Sequence, residues 1–346
     1  MVEVAVVGAA GYTGIEAVRW ILGHPRLSLA CATSGADAGK KLAEVYPALR
    51  GATDLEFSAP DAAAIAESAK VAILAVPHTA ALELAPQLLD AGLTVIDLSA
   101  DFRLKSADVY QQWYGVEHTA PNLLAEAVYG LPELDRSKLA GARLVAGPGC
   151  YPTATTLAAL PALEAGVASG SRAIVDAKSG VSGAGRSASA ATHFCTVNES
   201  MAAYKVASHR HTPEIEQNLS FAAGRDVAVT FTPHLIPLTR GLLSTVYLEV
   251  EEHFTTAEAV ELYRGRYHAE PFVTVHATGT MPTTAEVRGT NRAAIGVAVD
   301  ERTNTLIATC TIDNLGKGAA SQGIQCLNAV LGFPETEGLD AVGAVV

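Results

Sequence analysis

The sequence is short of the features that mark several protein classes. It holds only five cysteines, Cys31, Cys150, Cys195, Cys310 and Cys326, scattered without a CxxC pair. That usage encodes neither a zinc site nor a redox disulfide, and no metal is expected. The odd number leaves room for one reactive thiol. No apolar run is long enough to cross a bilayer. The N-terminus, MVEVAVVG, carries an acid where a secretory leader would be basic, so a cytoplasmic protein is expected. Positive charge is scarce: 24 Lys and Arg stand against 36 Asp and Glu, a net charge of −12. Such a balance argues against nucleic acid and against membrane surfaces as partners. Anionic ligands must therefore be met by locally placed Arg, Lys or backbone N–H groups. Internal repeats and low-complexity tracts are absent.

What is there is apolar and long. The 346 residues are 49% hydrophobic, enough for two domains with sizeable cores. In the first half, short apolar runs alternate with helical patterns. Strands are predicted at Val2 to Val7, Leu27 to Ser34, Val71 to Val76, Thr94 to Leu98 and Leu144 to Ala146, with a helix at Thr13 to Leu22. This spacing predicts an α/β, Rossmann-type, doubly wound parallel sheet. After Cys150 the texture changes. A helix is expected from Thr153 to Leu160. Strands follow at Ala173 to Ala177, Val227 to Thr232, Leu243 to Val250, Phe272 to Val275, Ala293 to Val299 and Leu306 to Ile312. Several follow one another too closely for crossover helices, which predicts a second α+β domain on a mostly antiparallel sheet. Gly316 to Leu331 reads as a closing helix that packs back on the first domain.

The segment GAAGYTG, Gly8 to Gly14, leaves the first strand and opens a helix. Glycines at Gly8, Gly11 and Gly14 permit a tight turn and close approach of backbone to a pyrophosphate, with the helix N-terminus facing the anion. Ala10 replaces the middle glycine of the commoner pattern. An NAD-binding chain commonly places an acid at the end of the second strand. Here that strand ends Thr33-Ser34-Gly35, so NADP is favoured, with Ser34 against the 2′-phosphate; Asp37 nearby weighs the other way, and Lys40 and Lys41 suit either a phosphate or a solvated loop.

The segment AGPGCYPT puts Cys150 at a helix start, with Pro152 in the first turn. The helix dipole and free N–H groups there favour thiolate, and a protonated histidine within reach would add to this. The alternative is a buried structural cysteine, the reading adopted for the other four. HRHTPE, His209 to Glu214, carries two histidines into another helix, with Thr212 as the expected cap. They suit proton transfer and substrate contact; a metal lacks a third ligand nearby. SGVSGAGR, Ser179 to Arg186, can offer N–H donors to an oxyanion or phosphate, or be a plain surface loop. DLSADFR, Asp97 to Arg103, follows a strand, and Arg103 either holds a phosphate or pairs with Asp97 or Asp101.

Together with DNLGKGAA at Asp313, these strings occur in an order that resembles the N-acetyl-γ-glutamyl-phosphate reductase family, of the aspartate-semialdehyde dehydrogenase superfamily, over essentially the whole chain. Gly316 is a departure, standing where a larger residue is expected. The resemblance implies an NADP-binding domain of residues 1–149 plus 315–346 and a catalytic, subunit-pairing domain of 150–314, in a homodimer or homotetramer. It implies NADPH-dependent reduction of a small-molecule acyl phosphate to a semialdehyde, through a thioester on Cys150, in arginine biosynthesis. His211 is taken as the acid/base and His209 as a substrate contact, with the reverse open. Arg103, Ser182 and Arg186 are the other expected substrate contacts. Expected cofactor contacts are Gly8, Gly11, Tyr12, Thr13, Gly14, Ser34, Pro77, His78, Ser179, Gly180, Gly183 and Asn314. Another acyl phosphate, such as aspartyl phosphate, and a non-catalytic NADP sensor are the alternatives.

Overall fold

Strands that are apolar on both faces need cover on both faces, which a parallel sheet with crossover helices provides. The first sheet, in a computed structural model describing residues 1–343, is of this kind. Its strands are β1 (Val2–Val7), β2 (Leu27–Thr33), β3 (Phe57–Ser58), β4 (Val71–Leu74), β5 (Thr94–Asp97), β6 (Val128–Tyr129) and β7 (Leu144–Ala146). They lie in the order β3-β2-β1-β4-β5-β7-β6, and every neighbouring pair is parallel. All four residues of β4 are buried. The strand order reverses between β1 and β4, and the carboxyl edge at such a switch is where ligands of open α/β sheets bind. The expected tips Ser34, Val76 and Leu98 lie just beyond their strands.

The second sheet contains β8 (Arg172–Gly180), β9 (Ala202–Ala203), β10 (Ala228–Ile236), β11 (Leu242–Glu249), β12 (Val273–Val275), β13 (Ala293–Asp300) and β14 (Thr305–Ile312). Its order is β12-β13-β14-β11-β8-β10-β9. It is mixed: β8 with β10 and β12 with β13 run parallel, the other neighbours antiparallel. Along β11 buried and half-buried residues alternate from Leu242 to Leu248, as expected of a sheet with one covered face.

The chain divides into two compact units, residues 1–148 with 319–340, and residues 149–318 with 341–343 of the described chain. Residues 344–346, which the sequence assigned to the nucleotide domain, lie outside the described residues. The closing helix is not continuous. Gly316–Ala320 forms a π-helical turn and Ser321–Val330 an α-helix. In the first unit, Gly323 of this helix packs so closely on Leu98 that a Cβ would come within 2.9 Å of its side chain.

In the second unit the helix Cys150–Glu164 is buried from Tyr151 to Leu163. A helix apolar all round has no solvent face to present, so it becomes the core. Pro161 sits inside it, and proline has no N–H to give the carbonyl four residues back. That carbonyl, Leu157 O, instead accepts the Tyr267 hydroxyl at 2.6 Å, and Ala158 O accepts the Tyr263 hydroxyl at 2.6 Å. Both tyrosines come from the helix Thr256–Tyr267. Tyr267→Phe should therefore destabilise the fold by about 1–3 kcal/mol, the cost of a buried carbonyl left without a donor. The loss should shrink in a Pro161→Ala background, where residue 161 regains its N–H. Urea unfolding of the two single variants and the double variant checks this; equal costs in both backgrounds would refute it.

Candidate active site

In the first unit, the turn after β1 is built for close backbone approach. Gly8 has φ +82°, and a Cβ there would lie 2.4 Å from Ala75 O at the end of β4. A Cβ on Gly14 would lie 2.3 Å from Gly8 O. The helix Tyr12–Leu22 starts at Gly11 without any side-chain cap, which leaves its N-terminus for an anion. This cradle fits a dinucleotide pyrophosphate. At the end of β2, Ser34 is buried and its hydroxyl accepts the Asp37 N–H at 3.2 Å. Lys40 pairs with Asp37 at 2.8 Å, so the one acid that argued for NAD is engaged by a lysine. At the end of β4, the His78 ring meets Tyr114 edge-on, centroids 5.6 Å apart.

Arg103 corrects the sequence reading. Its guanidinium is not presented to solvent: the residue is 6% exposed, with Nε donating to Gly147 O at 2.7 Å and Nη2 to Leu98 O at 3.0 Å. It fastens the segments leaving β5 and β7. Asp97 at the end of β5 is pushed up to about 7 by burial first and by the nearby Asp101 second.

In the second unit, Gly149 caps the helix that Cys150 begins. The Gly149 N–H donates to the Glu214 carboxylate at 2.9 Å, and Glu214 is 1% exposed. Glu214 belongs to the first turn of the helix Thr212–Ala223, which His211 precedes as N-cap in place of Thr212. One carboxylate thus ties the turn of the thiol to the helix of the histidines. Sequence reasoning passed over Glu214; its only signal was an acid in the first turn of HRHTPE. On the other side, a Cβ on Gly318 would come 2.8 Å from Cys150 Cβ, which brings the DNLGKGAA segment onto the thiol residue.

The histidines share an aromatic cage. His209 and His211 have ring centroids 4.8 Å apart. Tyr151, next in chain to Cys150, lies 5.6 Å from His209 and 5.9 Å from His211. Tyr204 and Phe231 add contacts to His209 at 5.4 and 5.3 Å. The Tyr204 hydroxyl donates to the Tyr151 hydroxyl, which donates to His234 O at 3.1 Å. The His211 N–H donates to His209 Nδ1 at 3.1 Å, so neutral His209 carries its proton on Nε2. Burial lowers the His209 pKa to about 4, helped by the positive Lys205 and Arg210. Of the two histidines that the sequence offers as a protonated neighbour of the thiolate, His209 is thus the neutral one.

The loop after β8 uses its polar groups internally. Gly180 allows close passage past Leu238 O, 2.9 Å from where its Cβ would be, and a Cβ on Gly183 would lie 3.1 Å from Ser179 Oγ. Ser179, 1% exposed, donates its hydroxyl to Gly180 O at 3.1 Å. Asn314 donates to Ser182 Oγ at 2.9 Å and accepts the Gly241 N–H at 2.8 Å. Arg186 lies on an exposed stretch. A further pair was not foreseen. Asp313, fully buried, receives Arg240 through Nε at 2.9 Å and the N–H groups of Leu315 and Gly316 at 2.9 and 3.0 Å. Gly316 starts the π-helical turn. The second unit thus gathers Cys150, His209 and His211 around Tyr151. Among the described residues no three His, Cys, Asp or Glu could hold a metal, and no helix is long and apolar enough to cross a membrane.

The cage makes a testable claim on pH. A free histidine titrates near 6.5; folded His209 titrates near 4. Between these values the unfolded chain binds a proton that the folded chain refuses, so stability falls as pH drops. The contribution is complete above pH 6.5 and gone below about 4. His209→Gln should flatten the acid side of the Tm-against-pH curve in this window. Parallel curves for the two proteins would contradict the cage.

Residues 3–142 match the semialdehyde dehydrogenase NAD-binding domain, and residues 150–314 match the semialdehyde dehydrogenase dimerisation domain. The N-acetyl-gamma-glutamyl-phosphate reductase of Symbiobacterium thermophilum is 50% identical, over 99% of both chains. That of Halorhodospira halophila is 50% identical over the full length of both. Among solved structures, aspartate semialdehyde dehydrogenase II of Vibrio cholerae has a TM-score of 0.74 at 16% identity, covering 96% of this chain and 98% of its own. The Candida albicans aspartate semialdehyde dehydrogenase with NADP has a TM-score of 0.71 at 12% identity, covering 95% of this chain and 98% of its own. At such identities the likeness is one of fold. The turn of Cys150, the histidine cage and the glycine cradle are thus those of a chain that belongs to the N-acetyl-γ-glutamyl-phosphate reductase family, built on the semialdehyde dehydrogenase fold.

Proposed function

We propose that the protein reduces N-acetyl-γ-glutamyl phosphate to N-acetylglutamate semialdehyde, releasing phosphate, as a cytoplasmic homodimer or homotetramer in arginine biosynthesis. The observation that carries this is the common neighbour of thiol and histidines: Tyr151 follows Cys150 in the chain, and its ring touches both His209 and His211. A nucleophile at a helix start beside two imidazoles is the arrangement that acyl transfer to sulfur needs.

The Cys150 thiolate, stabilised by the N-terminus of its own helix, attacks the acyl carbon and expels phosphate. Ser182 Oγ accepts from Asn314 and so keeps its own O–H for the anionic substrate, with Arg186 at the end of the same loop. Glu214 occupies the Gly149 N–H, so oxyanion donors come from elsewhere in the turn. His209, neutral with its proton on Nε2, is a donor to substrate. His211 gives a proton to the thiohemiacetal oxyanion and recovers it when the thiolate departs. In the first unit Gly8, Gly11, Tyr12, Thr13, Gly14, Pro77 and His78 would hold NADPH, which would supply the hydride that reduces the thioester; in the second unit Ser179, Gly180, Gly183 and Asn314 are its proposed contacts. Ser34 with Lys40 would meet the 2′-phosphate, and the pairing of Lys40 with Asp37 offsets the acid that would repel it.

The test is NADPH oxidation by the purified protein. N-acetyl-γ-glutamyl phosphate should be reduced with kcat/KM at least about tenfold above aspartyl phosphate, and NADPH should be preferred to NADH to a similar degree, each a difference of about 1.4 kcal/mol. Cys150→Ser should lower turnover below a few per cent while NADPH still binds. Equal use of aspartyl phosphate would overturn the substrate, equal use of NADH the 2′-phosphate site, and an active serine variant the nucleophile.

A further inference from the structure

The first unit holds a left-handed residue that no glycine explains. Thr79 has φ 77° and ψ −23°, between Pro77-His78 and the helix Ala80–Asp90. A β-branched residue rarely adopts this conformation, and such backbone persists only where its surroundings impose it. The imposing group is Asp101, fully buried on the segment after β5. Its carboxylate accepts the Thr79 N–H at 3.0 Å and the Ala81 N–H at 3.2 Å. Thr79 gives the helix no side-chain cap, so Asp101, distant in sequence, caps it instead.

The same carboxylate anchors the side-chain half of the loop. It accepts the Tyr110 hydroxyl at 2.8 Å. Tyr110 stacks on Tyr114 with centroids 4.6 Å apart and planes 10° apart, and Tyr114 supports the His78 ring. His118 fastens the backbone of Asp101 itself, its Nε2 lying 2.8 Å from Asp101 O. The loop so held leaves β4 at the point where the strand order reverses, and β4 ends against Gly8 of the glycine cradle.

We propose that Asp101 is a positioning residue for the cofactor: by holding Thr79 left-handed and Tyr110 beneath Tyr114, it sets the Pro77-His78 loop toward the bound nicotinamide dinucleotide. This rests on the reading that the first unit binds NADPH. It also gives the DLSADFR segment a use that the reaction chemistry does not.

The test compares Asp101→Asn, Thr79→Gly, the double variant and Tyr110→Phe in the full chain. The readouts are the NADPH dissociation constant by fluorescence, the separate KM values, kcat and Tm. Asparagine turns an N–H donor toward an N–H donor. Asp101→Asn should weaken NADPH binding about tenfold and raise KM for NADPH in step, with KM for the acyl phosphate changed less than about twofold. Tyr110→Phe, which removes one hydrogen bond, should move the same quantities in the same direction by about threefold. Glycine adopts positive φ without strain, so Thr79→Gly in the Asp101→Asn background should recover at least about threefold of the lost affinity. Unchanged NADPH affinity in both Asp101→Asn and Tyr110→Phe would overturn the proposal. So would a loss of Tm with both KM values rising together and no recovery from glycine, the mark of a merely structural acid. If the wild-type protein failed to bind NADPH, the functional reading itself would fall, and the positioning role with it.

Discussion

A helix without a polar face has to be buried, and a buried helix fixes its first residue with little freedom. Cys150 is that residue. The helix behind it is enclosed from Tyr151 to Leu163, and its proline-deprived carbonyl is satisfied by a tyrosine from a neighbouring helix. Its start is held by Glu214 through Gly149 and closed over by Gly318, where no side chain would fit. The sulfur is thereby set at the positive end of the helix while its backbone cannot shift. The histidines inherit their place from the same contacts, because Glu214 follows them in sequence and Tyr151 follows the cysteine.

Each unit deals with charge locally, in a chain that carries a net −12. Burial keeps His209 neutral, so that an anionic substrate meets N–H and O–H donors rather than a histidine cation. The uncapped N-terminus of the helix Tyr12–Leu22 offers backbone dipoles in place of arginines. Several arginines and acids serve the framework. Arg103 ties two strand ends together, Arg240 is locked to buried Asp313, and Asp101 caps a helix.

The parallel sheet and the glycine cradle were legible because they depend on local sequence: three- to seven-residue apolar runs and glycines where a Cβ would collide. The thiol was legible from its turn, Gly-Pro-Gly before a helix. The two-residue strands Phe57–Ser58, Val128–Tyr129 and Ala202–Ala203 were not, since two residues carry no periodicity. Nor were Glu214, Asp101 and Asp313. Their partners stand 65, 22 and 73 positions away, and one chain read alone has no means of pairing them. The neutral state of His209 was not legible for a similar reason. It is set by Tyr151, Tyr204 and Phe231, which come together only on folding.

The central claim is that Cys150 itself carries the acyl group. It is tested most directly by mixing the protein with N-acetyl-γ-glutamyl phosphate in the absence of NADPH and examining the intact chain and its peptides by mass spectrometry. One N-acetylglutamyl adduct per chain is expected, confined to the Cys150 peptide, removed by hydroxylamine and by NADPH, and missing from Cys150→Ala. An unmodified chain that nevertheless turns over when NADPH is added, or an adduct on any other cysteine that NADPH discharges, would contradict it.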